Sequence, residues 1–233
     1  VAPAALGLMA PVAVNADTFS STTTLGGSAY FTLGSEDAGT GNANEELYMQ
    51  YAYGLDMTSS FTGEDSLYVG IETGNASGPL ANMDSAVDPA TDNVLSVHSA
   101  FYSFPVGDLS VTAGPLLDQD DVVGATVSQY SDSFRLGAMP YSLAGDETGP
   151  GLGVTWGNDS GIVASASFVA DDGSDSTDGI NTDAGSDVST LTLGYDGDGF
   201  GGGIVVSAND GDGTSTEYDT FGLGAYYTPE SID

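Results

Sequence analysis

Apolar side chains return at every second position along this chain, in ten separate runs. In the first, Leu25, Gly27, Ala29, Phe31 and Leu33 fall on one face, and Thr24, Gly26, Ser28, Tyr30 and Thr32 on the other. A period of two belongs to a strand, whose side chains point alternately to the two faces of a sheet. The pattern recurs over residues 47–56, 67–74, 94–104, 109–114, 151–156, 162–169, 189–195, 200–208 and 220–227. In the second run Leu47, Met49, Tyr51, Tyr53 and Leu55 oppose Tyr48, Gln50, Ala52, Gly54 and Asp56. The runs approach the roughly 9–11 residues with which a tilted strand crosses a bilayer.

The connections between runs come in two lengths. Residues 58–65 link the second and third runs, and Pro105-Val106-Gly107-Asp108 forms a turn in which proline fixes φ and glycine admits positive φ. Gly157-Asn158-Asp159-Ser160-Gly161 and Asp196-Gly197-Asp198-Gly199 close two further hairpins. The intervening connections are long and polar: 75–93, the acidic stretches 171–187 and 209–219, and 117–147. The last holds Asp118, Asp120, Asp121 and Arg135, and a loop of that length in a compact fold is usually functional. Short turns alternating with long loops are the arrangement of outer-membrane barrels. The expected fold is therefore all-β, a transmembrane antiparallel up-and-down β-barrel. Small residues on its second face leave room for water in the lumen, whereas a soluble barrel this size fills its interior with large side chains. Residues 228–233 read as the middle of a turn, so strands beyond these ten are expected.

Composition narrows the function classes. There are 34 acidic residues against one basic side chain, Arg135, and the net charge is −33. Such a chain repels nucleic acid. An apolar fraction of 40% with 12 Tyr and 9 Phe argues against disorder. With no cysteine there is no disulfide, thiolate nucleophile or Cys-bound metal. Residues 1–16 are apolar, rich in small side chains, and close on Val14-Asn15-Ala16. They read as the remnant of a secretory signal peptide whose charged n-region is missing, with residues 17–233 as the barrel. The alternative for 1–16 is a buried apolar strand or short helix.

Four stretches carry a likeness to a known family: Val1-Ala2-Pro3-Ala4-Ala5-Leu6-Gly7-Leu8, Ser21-Thr22-Thr23-Thr24-Leu25-Gly26-Gly27, Thr58-Ser59-Ser60-Phe61-Thr62-Gly63-Glu64-Asp65-Ser66-Leu67 and Phe104-Pro105-Val106-Gly107-Asp108-Leu109. In these the chain resembles the cyanobacterial outer-membrane porins related to the OprB-type carbohydrate-selective porins. The resemblance implies about sixteen strands, trimers, and passive diffusion of small hydrophilic solutes and ions through a Gram-negative-type outer membrane. Members of that family carry a surface-layer-homology domain and a coiled coil between leader and barrel. Here Asp17 leads almost directly into Ser21-Thr22-Thr23, which counts against peptidoglycan anchoring.

The acids supply the candidate functional residues. Asp56 and Glu72 fall on the predicted lumen face, because a carboxylate facing lipid costs on the order of a few kcal/mol. Asp118, Asp120 and Asp121 sit where a loop folding into the pore would bring them, and carboxylates there would favour cations; otherwise they solvate an outer loop. Arg135 either sets a transverse field at a constriction or pairs with a carboxylate to anchor its loop. His98, alone and without cysteine, is a poor metal site and reads as a lumen or interface residue. The pairs Asp196 with Asp198 and Asp210 with Asp212 resemble calcium loops. They lack the spaced bidentate glutamate of the helical calcium hand, so only weak divalent binding is expected. Tyr51, Tyr53, Phe101, Tyr195, Tyr226 and Tyr227 are candidates for interfacial aromatic girdles, or reflect plain sheet propensity.

Nothing in the chain forms a nucleophile–base pair or a phosphate loop, so neither an enzyme nor a cofactor is expected. The leading expectation is a cation-preferring porin whose partners are outer-membrane lipid and small hydrophilic solutes. The alternatives are a secreted acidic calcium-binding surface or adhesin protein, and a closed ten-stranded barrel enzyme or adhesin.

Overall fold

A computed structural model describes residues 22–35, 46–82, 86–87, 93–123, 147–211 and 217–227. They form one antiparallel sheet of ten strands in sequence order. The strands are β1 (Thr23–Gly34), β2 (Tyr48–Ser59), β3 (Ser66–Gly74), β4 (Ser96–Val106), β5 (Leu109–Asp118), β6 (Thr148–Gly157), β7 (Ile162–Ala170), β8 (Asp187–Gly197), β9 (Phe200–Asn209) and β10 (Tyr218–Tyr227). Each predicted run is a strand, most of them lengthened at an end, although Leu47 falls outside β2 and Val94 and Leu95 outside β4. Every strand pairs only with its sequence neighbours, and β1 and β10 do not pair with each other. The sheet is an up-and-down wall, not a closed ring.

Register carries two continuous faces across this wall. Leu25, Met57 and Val69 stand side by side on one face, as do Leu193 and Ile204 with Leu223 further along. The other face aligns Thr155, Ser165, Thr192 and Val205. Burial is inverted relative to a water-soluble sheet. On the apolar face Phe31 is 77% and Leu223 73% exposed, while on the polar face Thr190 and Ser207 are 1% and 0% exposed. Six of the polar-face hydroxyls pair across strands: Ser103 with Thr112 at 2.8 Å, Ser165 with Thr192 at 2.6 Å, and Thr190 with Ser207 at 2.9 Å. Left unpaired, each such group would cost about 1–3 kcal/mol.

All short connections lie on one rim and all long ones on the other, as strict strand alternation requires. Val106 pairs with Leu109, so Pro105 and Val106 belong to β4 and only Gly107-Asp108 turns, with Gly107 at φ +63°. Likewise Gly197 pairs with Phe200, which returns Asp196 and Gly197 to β8. In the β6–β7 turn the Asn158 side chain accepts the Ser160 and Ile162 N–H groups, the local bonding that makes asparagine a turn residue.

Two bulges break the alternation. His98 and Ser99 both stand opposite Gly70, one residue more than the register allows. In β5 the pairing shifts between Gly114 and Leu117. Pro115, without an N–H, sits in that irregularity, where a missing donor is tolerated. The run predicted to end at Gly114 therefore continues to Asp118, and Leu117 and Asp118 are strand residues rather than loop.

Candidate functional site

The polar face of β2 to β6 gathers the charged side chains. Asp56 on β2 and Tyr68 on β3 are bonded, the Tyr68 hydroxyl donating to Asp56 Oδ1 at 2.5 Å. The Tyr68 ring is backed by Phe101 of β4, with centroids 5.0 Å apart. Glu72 follows on the same face of β3, and between Tyr68 and Glu72 stands Gly70. That glycine is needed: a Cβ there would lie 2.3 Å from His98 Nε2. The bulge turns the His98 ring over this gap, and its Nδ1 is 3.1 Å from Ser99 Oγ. Asp56, Glu72 and His98, with Ser28, Tyr30 and Val87, line one concavity of about 290 Å3.

The start of the long loop folds onto the same face. Residues Gln119–Val122 form a 3-10 turn directly after β5. Asp118 caps it, accepting the Asp120 N–H at 3.1 Å, while Asp121 Oδ2 accepts the Asp118 N–H at 3.1 Å. The second Asp118 oxygen accepts from Thr148 Oγ1 at 3.0 Å. Val122 packs with Leu117 and Val169 in a small buried cluster. It stands over Gly153, where a Cβ would come within 2.4 Å of it. The Gln119 side chain reaches across to β8 and donates to Thr190 Oγ1 at 2.6 Å. This corrects one expectation: near Gly153 the small residues of the polar face make room for the loop, not for water.

Asp121 is within electrostatic reach of both Tyr68 and His98. Solvent reaches the Asp121 side chain, yet the surrounding protein crowds it. That desolvation pushes its carboxyl above the usual carboxylate range, partly offset by the Asp118 N–H.

The structure thus brings Asp56 and Glu72 to one concavity with His98, and places Asp121 within electrostatic reach of His98 and Tyr68, with Asp118 serving as a cap and Asp120 exposed beside it. Arg135, Asp212 and residues 1–16 lie outside the described residues. Asp196 and Asp198 stand on the short-turn rim and Asp210 on the long-loop rim, at opposite ends of the β8–β9 hairpin. Asp196 accepts a hydrogen bond from the Tyr226 hydroxyl. Among the described residues no three His, Asp or Glu side chains converge on a possible metal position.

Two of the girdle candidates are corrected. Phe101 and Tyr226 point to the polar face, Phe101 against Tyr68 and Tyr226 over Gly201, where a Cβ would lie 2.4 Å from its ring. On the apolar face Tyr195 stacks on Phe200 (5.3 Å), and Tyr102 on Phe104 (5.6 Å) and beside Phe61 (6.3 Å), all near the short-turn rim. Sequence reasoning missed Tyr68, Gln119 and Val122. For Val122 the readable signal was Gly153, the glycine it stands over.

No protein-family profile matches the sequence, and no curated protein is significantly similar. Among solved structures, the chain aligns with a triple mutant of Rhodopseudomonas blastica porin at 14% identity and a TM-score of 0.49, covering 88% of this chain and 69% of that one. Another mutant of the same porin aligns at 14% identity and a TM-score of 0.42, covering 90% of this chain and 81% of that one.

Proposed function

We propose that this chain forms the wall of an outer-membrane porin through which small hydrophilic solutes and ions diffuse passively, with cations favoured. The observation that carries the reading is the inverted burial: a continuous apolar face turned outward and exposed, and a sheltered face of hydroxyls and carboxylates. In water, an apolar band of that extent would be an aggregation liability; in lipid it is the outer wall of a barrel. The division into a short-turn rim and a long-loop rim supports the same reading. It also weighs against a secreted calcium-binding protein, which has no use for an exposed apolar face.

On this reading the polar face lines the lumen. Asp56, Glu72 and Asp121 raise the local cation concentration along it. The turn capped by Asp118 holds Asp121 beside this face. In hydrocarbon an unpaired strand edge leaves its N–H and C=O groups unsatisfied at several kcal/mol each. The free edges of β1 and β10 are therefore paired in the inserted protein, by each other or by further strands. Residues 1–16 act as the export leader and residues 17–233 as the barrel. The sequence resemblance supports a cyanobacterial-type outer membrane and a trimer as part of this reading.

The test is single-channel recording of the purified protein in a planar bilayer under a KCl gradient. Stepwise conductance with a cation-selective reversal potential is expected. Folded protein that stays soluble without detergent and gives no conductance overturns the porin reading, and an anion-selective reversal overturns the cation preference.

A further inference from the structure

A second acidic concavity lies far from the polar-face cluster, on the apolar face at the long-loop rim. It measures about 340 Å3 and is lined by Phe168, Ser189 and Ala208 together with Asp187, Asp210, Glu217 and Asp219. Phe168 pairs with Ser189, Ser189 with Ala208, and Ala208 with Asp219, so these four side chains share the apolar face. The hollow is thus a gap in the outer wall, where Asp187 and Asp219 replace the apolar residues found lower on β8 and β10, with Asp210 and Glu217 in the adjoining connection.

Asp187 is its distinguishing member. It is 4% exposed, and neither of its carboxylate oxygens has a hydrogen-bond partner among the described residues. The Asn181 and Thr182 N–H groups approach it without completing a bond. Its own N–H is spent on Asp210 Oδ1 at 2.8 Å, which holds a second carboxylate against it. A buried carboxylate without a donor is costly, and a neighbouring carboxylate makes it more so. Among the described residues no basic side chain lines the hollow.

We propose that this hollow binds a hydrated divalent cation, Mg2+ or Ca2+, with Asp187 at its floor and Asp210, Glu217 and Asp219 around its mouth. The acids do not converge closely enough to cage a bare ion, which fits an ion that keeps most of its water. Six waters at about 30 Å3 each occupy roughly 200 Å3 with the ion, within the space present. The ion supplies the missing charge to Asp187 and relieves its repulsion with Asp210.

The test is equilibrium dialysis of Ca2+ against the folded full chain in detergent at physiological ionic strength. Asp187→Asn and Asp219→Asn are compared with Asp198→Asn on the opposite rim. The wild type and Asp198→Asn are expected to retain one ion with a dissociation constant of about 10⁻⁴–10⁻³ M, the range of exposed extracellular sites. Asp187→Asn and Asp219→Asn should each lose that equivalent. If Asp187→Asn does not fold, Asp219→Asn decides, because its side chain is at the exposed mouth. Unchanged binding in the variants that fold overturns the proposal.

Discussion

The Tyr102 hydroxyl of β4 donates to Asp65 Oδ2 at 2.5 Å, tying the turn between β2 and β3 to the next strand over. The other oxygen of Asp65 gathers the turn itself. It accepts from Ser60 Oγ at 2.8 Å, Phe61 N at 3.0 Å, Thr62 N at 2.7 Å and Thr62 Oγ1 at 2.7 Å. Five donors converge on one carboxylate, and Tyr102 is the largest cause of its being held far below the usual carboxylate range, against an opposing desolvation.

That arrangement makes stability pH-dependent with a definite sign. The unfolded carboxyl takes up its proton near pH 4, while the folded one resists protonation to much lower pH. The stabilisation is fully present above about pH 4 and is lost as pH falls from there toward the depressed folded value. Urea unfolding in micelles, followed by the single tryptophan Trp156, should show a midpoint that drops through this window. Asp65→Asn should lower the midpoint at pH 7 and flatten the drop. An equal acid slope in wild type and variant would show that other carboxylates carry it.

The contact of Val122 with Gly153 predicts a steric effect. A methyl group at 153 meets Val122 Cγ1 and Cβ, a short branched side chain that cannot swing aside. Gly153→Ala should cost ~1–3 kcal/mol as overpacking. It should also lift the loop turn from the wall, changing single-channel conductance. Adding Val122→Gly removes both clashing atoms and should restore much of both. A double variant no better than Gly153→Ala alone would place the strain elsewhere.

The exposed apolar face predicts where charge is not tolerated. Leu191 stands mid-strand on β8 and is 60% exposed. In water, arginine at so open a position would be nearly neutral. In lipid it should cost roughly 2–4 kcal/mol. Folding of Leu191→Arg into phosphatidylcholine vesicles, titrated with urea, distinguishes these values, and a shift within error of zero would contradict a lipid-facing wall.

How much of this was readable in the sequence depended on whether a feature was local. The strands were legible because alternation is set by backbone geometry, residue by residue. The β5 end was lost at Pro115 because a bulge resets the period without leaving a turn signal. Phe101 and Tyr226 were misassigned for a related reason: an aromatic side chain on the polar face is unfavourable unless a partner strand offers a gap, and only register shows that Tyr226 lies over Gly201. Asp56 and Glu72 were found from alternation alone. Their electrostatic association with Asp121, through Tyr68 and His98, was not, since it depends on how the turn after β5 folds.

That association carries the selectivity prediction. Asp56→Asn and Glu72→Gln are near-isosteric, so together they remove two negative charges from the concavity while sparing the wall. Asp56→Asn also leaves Tyr68 a neutral acceptor. If these carboxylates concentrate cations along the polar face, the cation-to-anion permeability ratio should fall by roughly two- to tenfold, with a correspondingly smaller reversal potential under a KCl gradient. Asp198→Asn, which removes a charge from the turn between β8 and β9, should leave the ratio nearly unchanged, because charges more than a Debye length of about 8–10 Å from the path are screened. Raising KCl toward 1 M should shrink the wild-type preference, as the Debye length falls to about 3 Å. A double variant with the wild-type reversal potential would mean that selectivity is set elsewhere, with the residues around Arg135 the next to substitute.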